Sequence, residues 1–154
     1  IGFGAIGHAL AKKLDSIIGR DEICYYSHNQ NDPEYHYLDF DKMLDKSEYM
    51  FVTISKNPES LALFDDLSKF NPRTKVIIVA NGFEDVAMRM AKMVEEGKLG
   101  GVAFESDDLD KEYKGNVFVT PHNAYYTKES LEKMFDIWVQ SMISAINSPI
   151  NKIN

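Results

Sequence analysis

The segment that decides the fold is Gly2-Phe3-Gly4-Ala5-Ile6-Gly7, a G-x-G-x-x-G pattern. In such a loop the first glycine permits a tight turn, the second lets a pyrophosphate approach the backbone, and the third lets a helix pack closely on a strand. The sequence after the loop is helical over 5–18, and the free N–H groups at the start of such a helix favour phosphate. The predicted apolar face of this helix consists of Ile6, Ala9, Leu10, Leu14 and Ile17.

Apolar strand patterns and amphipathic helix patterns alternate along the rest of the chain. This alternation predicts an α/β fold, specifically a Rossmann-type doubly wound parallel sheet in three layers. We expect strands at 22–27, 49–54, 76–80, 101–104 and 117–120, and further helices at 39–44, 57–69, 84–96 and 127–146. Only Ile1 precedes the glycine loop, so we predict a dinucleotide-binding domain over 1–146 whose first strand is truncated. Residues 147–154 are predicted to return toward a missing substrate domain.

Composition excludes several classes of protein. The 154 residues are 44% hydrophobic and 27% charged, which is ordinary for a globular domain and unlike a disordered chain. The single cysteine, Cys24, excludes an internally disulfide-bonded scaffold, and the net charge of −7 disfavours nucleic-acid binding. No apolar run reaches about 18 residues, so we expect no membrane span. We also see no metal-ligand cluster and no signal peptide, and we expect a cytoplasmic protein.

The end of the second predicted strand bears on the choice between NAD and NADP. An NAD site usually has Asp or Glu about 20 residues after the glycines, where it binds the ribose 2′-hydroxyl. Ser27 lies 20 residues after Gly7, and no carboxylate is present there. Ser27 and Asn29 could donate hydrogen bonds to a 2′-phosphate and His28 could add partial charge, which favours NADP over NAD. No Arg or Lys occurs in 27–34 to clamp that phosphate.

Read in order, the later segments resemble the cofactor domain of the D-isomer-specific 2-hydroxyacid dehydrogenases. The resemblance covers nearly the whole chain, and its most specific part is the Asn-Val-x-x-Thr-Pro-His-x-Ala motif at 116–124. The other segments that support it are Val52-Thr53-Ile54-Ser55-Lys56-Asn57-Pro58-Glu59-Ser60, Ala80-Asn81-Gly82 and Gly97-Lys98-Leu99-Gly100-Gly101-Val102-Ala103-Phe104-Glu105.

The resemblance implies hydride transfer between NAD(P)H and a 2-keto acid, with His122 exchanging the proton. An imidazole exchanges protons near neutral pH, which suits this role. The family's partner carboxylate lies five positions after the residue that matches Glu105, so the resemblance implies Asp110. The intervening residues depart from the family pattern, and Asp107 or Asp108 remain alternatives.

The serious departure is Asn81, which stands where the family has a substrate-binding Arg. Arg offers a fixed bidentate fork and a permanent charge, whereas Asn offers one neutral donor group. The chain is therefore predicted to be either a dehydrogenase that uses Asn81 at this position or, as the alternative, a catalytically weak NAD(P)-binding regulatory module. Besides Ser27 and His28, the expected cofactor contacts are Gly2, Gly4, Ala5, Ile6, Gly7, Ile54, Ser55, Val79, Ala80 and Glu105.

The predicted helix over 127–146 has an unusually broad apolar surface. Leu131, Met134, Phe135, Trp138 and Met142 form one stripe, which Ile137, Val139 and Ile143 widen. So broad a surface suggests burial against a second body as well as the helix's own core. We therefore expect this helix to pack against the absent domain or a second subunit, and we expect a homodimer.

Overall fold

The computed structural model describes residues 1–28, 30 and 32–145, and it divides the chain into two compact units. The first is Ile1–Pro121 and the second is His122–Asn154. The predicted segment 147–154, Asn29 and Ile146 all lie outside the described residues. No helix in the described part of the chain is long and apolar enough to cross a membrane.

A four-stranded parallel sheet forms the centre of the first unit. Its strands are ordered as they occur in the chain, and each pairs in parallel with the next. Two further short strands form a separate parallel pair. The strands are β1 (Cys24–Tyr25), β2 (His36–Tyr37), β3 (Tyr49–Val52), β4 (Lys75–Ile78), β5 (Gly101–Glu105) and β6 (Val117–Thr120).

The first two residues connect the strand pair to the larger sheet. The N–H of Gly2 donates to the Tyr26 carbonyl at 2.8 Å, and the Ile1 carbonyl accepts from the N–H of Thr53 at 2.8 Å. Residues 1–2 therefore occupy the position between β1 and β3. With them as the first strand, the spatial order is that of a Rossmann sheet, 3-2-1-4-5-6, with one strand added at the end. The predicted fold class is confirmed.

Four α-helices accompany the sheet in the first unit, and two 3₁₀ turns accompany them. The helices are α1 (Ala5–Ile18), α2 (Phe40–Lys46), α3 (Pro58–Ala62) and α4 (Glu84–Glu95), and the 3₁₀ turns are Arg20–Glu22 and Leu67–Lys69. Val86, Met90 and Val94 recur every fourth residue on α4, and all three side chains are buried. They join Val76, which is fully buried on β4, in one hydrophobic core.

The predicted apolar face of α1 is only partly right, because Leu14 packs against the core cluster around Ala11 and Tyr25 whereas both isoleucines of the predicted face are exposed. Ile6 and Ile17 are 59% and 75% exposed, while the buried residues of the helix are Gly7 and Ala11. The physical reason is the close approach of the helix to the glycine loop. A Cβ added to Gly7 would lie 2.5 Å from the carbonyl oxygen of Gly2, so the start of the helix can turn only a residue without a side chain inward.

The helix predicted over 57–69 is shorter than expected. Its start is confirmed, because Asn57 and Ser60 form a capping box in which the Asn57 side chain accepts from the Ser60 N–H at 2.8 Å. The helix ends at Ala62 since Phe64 must turn into the core, where it is fully buried. Arg89 then donates to the Phe64 carbonyl at 2.7 Å, which satisfies an oxygen that a longer helix would have used itself.

The second unit contains one long helix, α5, over Lys128–Ser144. Thr127 caps it by accepting from the Ser130 N–H at 3.2 Å. No side chain of this helix is buried, and Phe135 and Trp138 of the predicted stripe are 59% and 53% exposed. Their rings pack edge to face with centroids 5.7 Å apart.

Candidate functional site

The glycine loop is held in a tight turn against the end of β3. Gly2 has φ +85°, and a Cβ there would lie 2.7 Å from the backbone nitrogen of Ile54. The Thr53 hydroxyl donates to the Gly2 carbonyl at 2.7 Å and lies 3.2 Å from the Ile1 carbonyl. Only glycine fits this turn, because an L side chain would meet both a positive φ and the β3 backbone. Sequence reasoning missed the role of Thr53, although it lies in the segment that matches the family.

Gly4 differs from the other two glycines of the loop. Gly4 is the N-cap of α1 and has an extended backbone. The space beside its Cα is open, since a Cβ added there would meet nothing within 4 Å. The exposed first-turn residues Ala5 and Ile6 follow it. This open space beside the unpaired N–H groups of a helix N-terminus fits a phosphate group. The loop therefore has a shape that fits a dinucleotide, and its open position is Gly4.

Other predicted cofactor residues lie at one edge of the sheet in the first unit. Ser27 and His28 follow β1, Ile54 and Ser55 follow β3, Val79 and Ala80 follow β4, and Glu105 is the last residue of β5. Because parallel strands bring their carboxyl ends to the same edge, the fold places these residues beside the glycine loop. Ligands of open α/β sheets bind at this edge, where the strand order reverses.

The loop after β1 places the carboxylate of Asp32 near the glycine loop, a contact that the sequence did not predict. Asp32 lies 2.7 Å from Nε2 of His8, and Nδ1 of the same ring lies 3.0 Å from the Gly4 carbonyl. Phe3 stacks on Tyr25 beside this pair, with ring centroids 4.3 Å apart. Both nitrogens of His8 therefore face acceptors, and only the doubly protonated imidazolium satisfies both. No sequence signal connected residue 8 to residue 32.

These hydrogen bonds shift both groups toward their charged forms. The hydrogen bond to Asp32, followed by the one to Gly4, raises the pKa of His8 above its usual value. Burial acts to raise the pKa of Asp32, but hydrogen bonds from His8 and from two backbone N–H groups outweigh it and lower that pKa. The His8 contribution to stability is thus complete below its unfolded pKa and is lost as the pH rises through the higher folded value.

We expect Asp32→Asn to lower the melting temperature by about 2 °C at pH 6, a small effect because the His8 side chain is 41% exposed. The loss should be smaller at pH 8.5, where less of His8 carries the charge that Asp32 stabilises. The asparagine keeps an oxygen for the N–H groups of Glu34 and Tyr35, which Asp32 accepts at 2.9 and 3.0 Å. Thermal denaturation at several pH values measures the difference. Asp39→Asn is the control, since Asp39 pairs with Lys42 rather than with a histidine. An equal loss at both pH values for Asp32→Asn would contradict this account.

The predicted catalytic residues lie in different parts of the chain. Asn81 is exposed and follows β4 at the carboxyl edge, and Asp110 is exposed in the segment between β5 and β6. In the part of the chain that the structure describes, no hydrogen bond or ion pair joins these two. His122 is half-buried and opens the second unit. The catalytic roles of all three, and the choice of Asp110 over Asp107 or Asp108, stay predictions.

Glu105, another predicted cofactor residue, lies at the end of β5, which pairs with β6. Glu105 pairs with Thr120 of β6, and the N–H of Ser106 donates to the Thr120 carbonyl at 2.9 Å. Glu105 is half-buried at this position. His28, by contrast, is exposed, and its Nε2 lies 3.9 Å from a carboxylate oxygen of Glu59.

Comparison with known proteins agrees with this geometry. Residues 1–124 match the family model described as D-isomer specific 2-hydroxyacid dehydrogenase, NAD binding domain. The chain belongs to this family, and residues 1–124 correspond to the family's NAD-binding domain. This match confirms the resemblance found in the sequence. A probable 2-ketogluconate reductase of Dictyostelium discoideum is 28% identical over 167 residues, covering 99% of this chain and 49% of that protein. The chain thus spans about half the length of the curated relatives that it matches.

Solved structures show the same fold. An acyclic imino acid reductase in complex with NADPH and D-arginine matches with a TM-score of 0.80 at 20% identity, covering 99% of this chain and 52% of that one. The NAD-complexed D-isomer specific 2-hydroxyacid dehydrogenase of Lactobacillus delbrueckii ssp. bulgaricus matches with a TM-score of 0.78 at 20% identity, covering 97% and 53%. The predicted cofactor class, NAD or NADP, is confirmed, and the enzyme names among the relatives do not favour the alternative of a catalytically weak module.

Proposed function

We propose that this chain is the cofactor half of an NAD(P)H-dependent oxidoreductase that interconverts a 2-keto acid and the corresponding 2-hydroxy acid. The observation that best supports the proposal is the open backbone at Gly4, which faces the N-terminus of α1 between two glycines that are packed tightly. Family membership over residues 1–124 supports the reaction class.

Each residue has a specific part in this proposal. Gly2, Gly4, Ala5, Ile6 and Gly7 hold the pyrophosphate, and Ser27 and His28 border the adenosine ribose. The nicotinamide side contacts Ile54, Ser55, Val79, Ala80 and Glu105. When bound, the nicotinamide supplies or accepts the hydride.

The protein's own side chains handle the proton and the substrate in this scheme. His122 donates a proton to the substrate oxygen during reduction and takes it back during oxidation. A carboxylate, Asp110 by position, orients the imidazole, and Asn81 donates a neutral hydrogen bond to the substrate. NADP in preference to NAD, a homodimer, a cytoplasmic location and the domain boundary after residue 146 are further parts of the sequence-based prediction.

Titration of the purified full-length protein with NADH and NADPH, followed by nicotinamide fluorescence, tests this function. We expect saturable binding of at least one cofactor, with NADPH the tighter, and oxidation of that cofactor when 2-keto acids such as glyoxylate or hydroxypyruvate are added. If neither cofactor binds, the assignment fails. If cofactor binds and a broad panel of 2-keto acids gives no oxidation, the catalytic part of the proposal fails while the binding part stands.

A further inference from the structure

A 2-keto acid has a carboxylate, and Asn81 stands in this chain at the position where the resemblance implies a substrate-binding arginine. A carboxylate moved out of water needs a cation or several donors. The three arginines of the sequence lie elsewhere. Arg20 pairs with Asp15 at 2.8 Å after α1, and Arg89 donates to the Phe64 carbonyl. Arg73 lies in the turn before β4, at the opposite end of that strand from Asn81.

One lysine reaches the required place. Lys56 lies in the loop after β3, and Asn81 and Gly82 follow β4. Val52 pairs with Ile78, so these two loops leave neighbouring strands at the same edge of the sheet. A Cβ added to Gly82 would overlap the Cδ of Lys56 and would lie 3.3 Å from its Nζ. The Lys56 side chain therefore lies directly over Gly82, next to the Asn81 position.

The space over Gly82 exists only because that residue has no side chain. Gly82 has φ +82°, a conformation that glycine adopts at little cost. The methylenes of Lys56 fill this space and bring the ammonium beside Gly82, the residue that follows Asn81 in the chain. Lys56 is exposed, and in the described part of the chain no carboxylate forms an ion pair with it. Its charge is available to a ligand.

We propose that Lys56, together with Asn81, binds the carboxylate of the 2-keto acid, so that two residues from adjacent loops share the task of a single guanidinium. Lys56 provides a compact, mobile positive charge, and Asn81 provides amide N–H donors. The inference rests on the proposed function, since it names the residues that recognise the substrate of that reaction.

Glu84 is the charged group that opposes this arrangement. Its carboxylate accepts from the Gly82 N–H at 3.1 Å, so that amide is not offered to substrate. The negative charge of Glu84 repels an incoming carboxylate, and Lys56 must outweigh it. The change in substrate affinity on substitution of Lys56 measures how far its positive charge outweighs the negative charge of Glu84.

The test compares Lys56→Met, Lys56→Arg and Lys92→Met in the purified full-length protein. Lys92 is a matched control because its side chain is 77% exposed near the end of α4, away from the proposed site. We expect Lys56→Met to raise KM for glyoxylate and pyruvate about tenfold or more, the effect of losing one charge-assisted contact. Lys56→Arg should restore most of the affinity, and Lys92→Met should match the wild type. The KM for methyl pyruvate, which lacks the carboxylate, should change less than twofold in all variants.

A binding measurement separates this proposal from the reaction itself. Oxamate, an unreactive 2-keto acid analogue, is titrated calorimetrically into wild type and variants saturated with the preferred cofactor. Weaker oxamate binding in Lys56→Met alone, with cofactor affinity unchanged, supports the proposal even where turnover is low. If Lys56→Met binds oxamate and keto acids as Lys92→Met does, or if the cofactor-loaded wild type binds neither, Lys56 does not have this role. If the wild type binds no cofactor, the proposed function itself has failed.

Discussion

Gly4→Val should weaken binding of NADH and NADPH by about 100-fold or more while leaving the melting temperature within about 2 °C of the wild type. The valine Cβ would meet nothing within 4 Å, and the backbone at Gly4, with φ −85° and ψ −160°, suits a β-branched residue. The same side chain would occupy the space that a pyrophosphate needs beside the first turn of α1. Fluorescence titration of the cofactor, together with thermal denaturation, measures both effects.

The matched control is the same substitution three residues later. Gly7→Val places a Cβ 2.5 Å from the Gly2 carbonyl oxygen and 3.3 Å from the Thr53 hydroxyl, so it should cost about 3 kcal/mol and lower the melting temperature by about 10 °C. Loss of cofactor binding there follows from loss of the fold. Retention of wild-type cofactor affinity in Gly4→Val would show that the phosphates do not approach this residue.

His122→Asn should reduce kcat for a 2-keto acid by about 10²–10⁴-fold, the usual contribution of a positioned general acid. Asparagine keeps a polar side chain of similar reach, yet it cannot exchange a proton with the substrate. Because the predicted cofactor-binding residues lie in other segments, the dissociation constant of the cofactor should change less than twofold. Steady-state kinetics and cofactor titration on the same preparations separate the two quantities.

His36→Asn serves as the control for this substitution. His36 lies on β2 and its side chain is exposed, far along the chain from any predicted catalytic residue. Its kcat should equal that of the wild type. A His122 variant with more than a tenth of wild-type kcat would exclude this residue as the proton donor and would return attention to the carboxylates at Asp107, Asp108 and Asp110.

The features that the sequence predicted well are those with strong local causes. The glycine loop has a fixed spacing, and strands β3 to β6 follow from short apolar runs bounded by polar turns. The helix predicted over 84–96 matches α4, because Val86, Met90 and Val94 recur at the four-residue spacing of one helix face. These elements also fix which strand ends meet, so most of the cofactor residues could be placed by topology.

The features that the sequence missed depend on contacts between distant residues. The inward face of α1 is set by the close packing of Gly7 on Gly2. Apolar periodicity in the sequence does not detect this contact, because the contact requires that residue 7 have no side chain. The contact of His8 on α1 with Asp32 and the contact of Lys56 with Gly82 each join segments that are far apart in the sequence, so no spacing rule connects them. The length of α3 likewise depends on the burial of Phe64 and on Arg89, which lies 25 residues further along the chain.

The Thr53 hydroxyl contributes a mechanical property to the cofactor site. It connects the end of β3, from which the loop proposed to border the nicotinamide departs, to the carbonyl groups of residues 1 and 2 in the glycine loop proposed to hold the phosphates. Two segments separated by about 50 positions in the chain are thus joined at one point and should move as a single body. A displacement at one end of the bound dinucleotide would be transmitted to the other end through the protein as well as through the ligand.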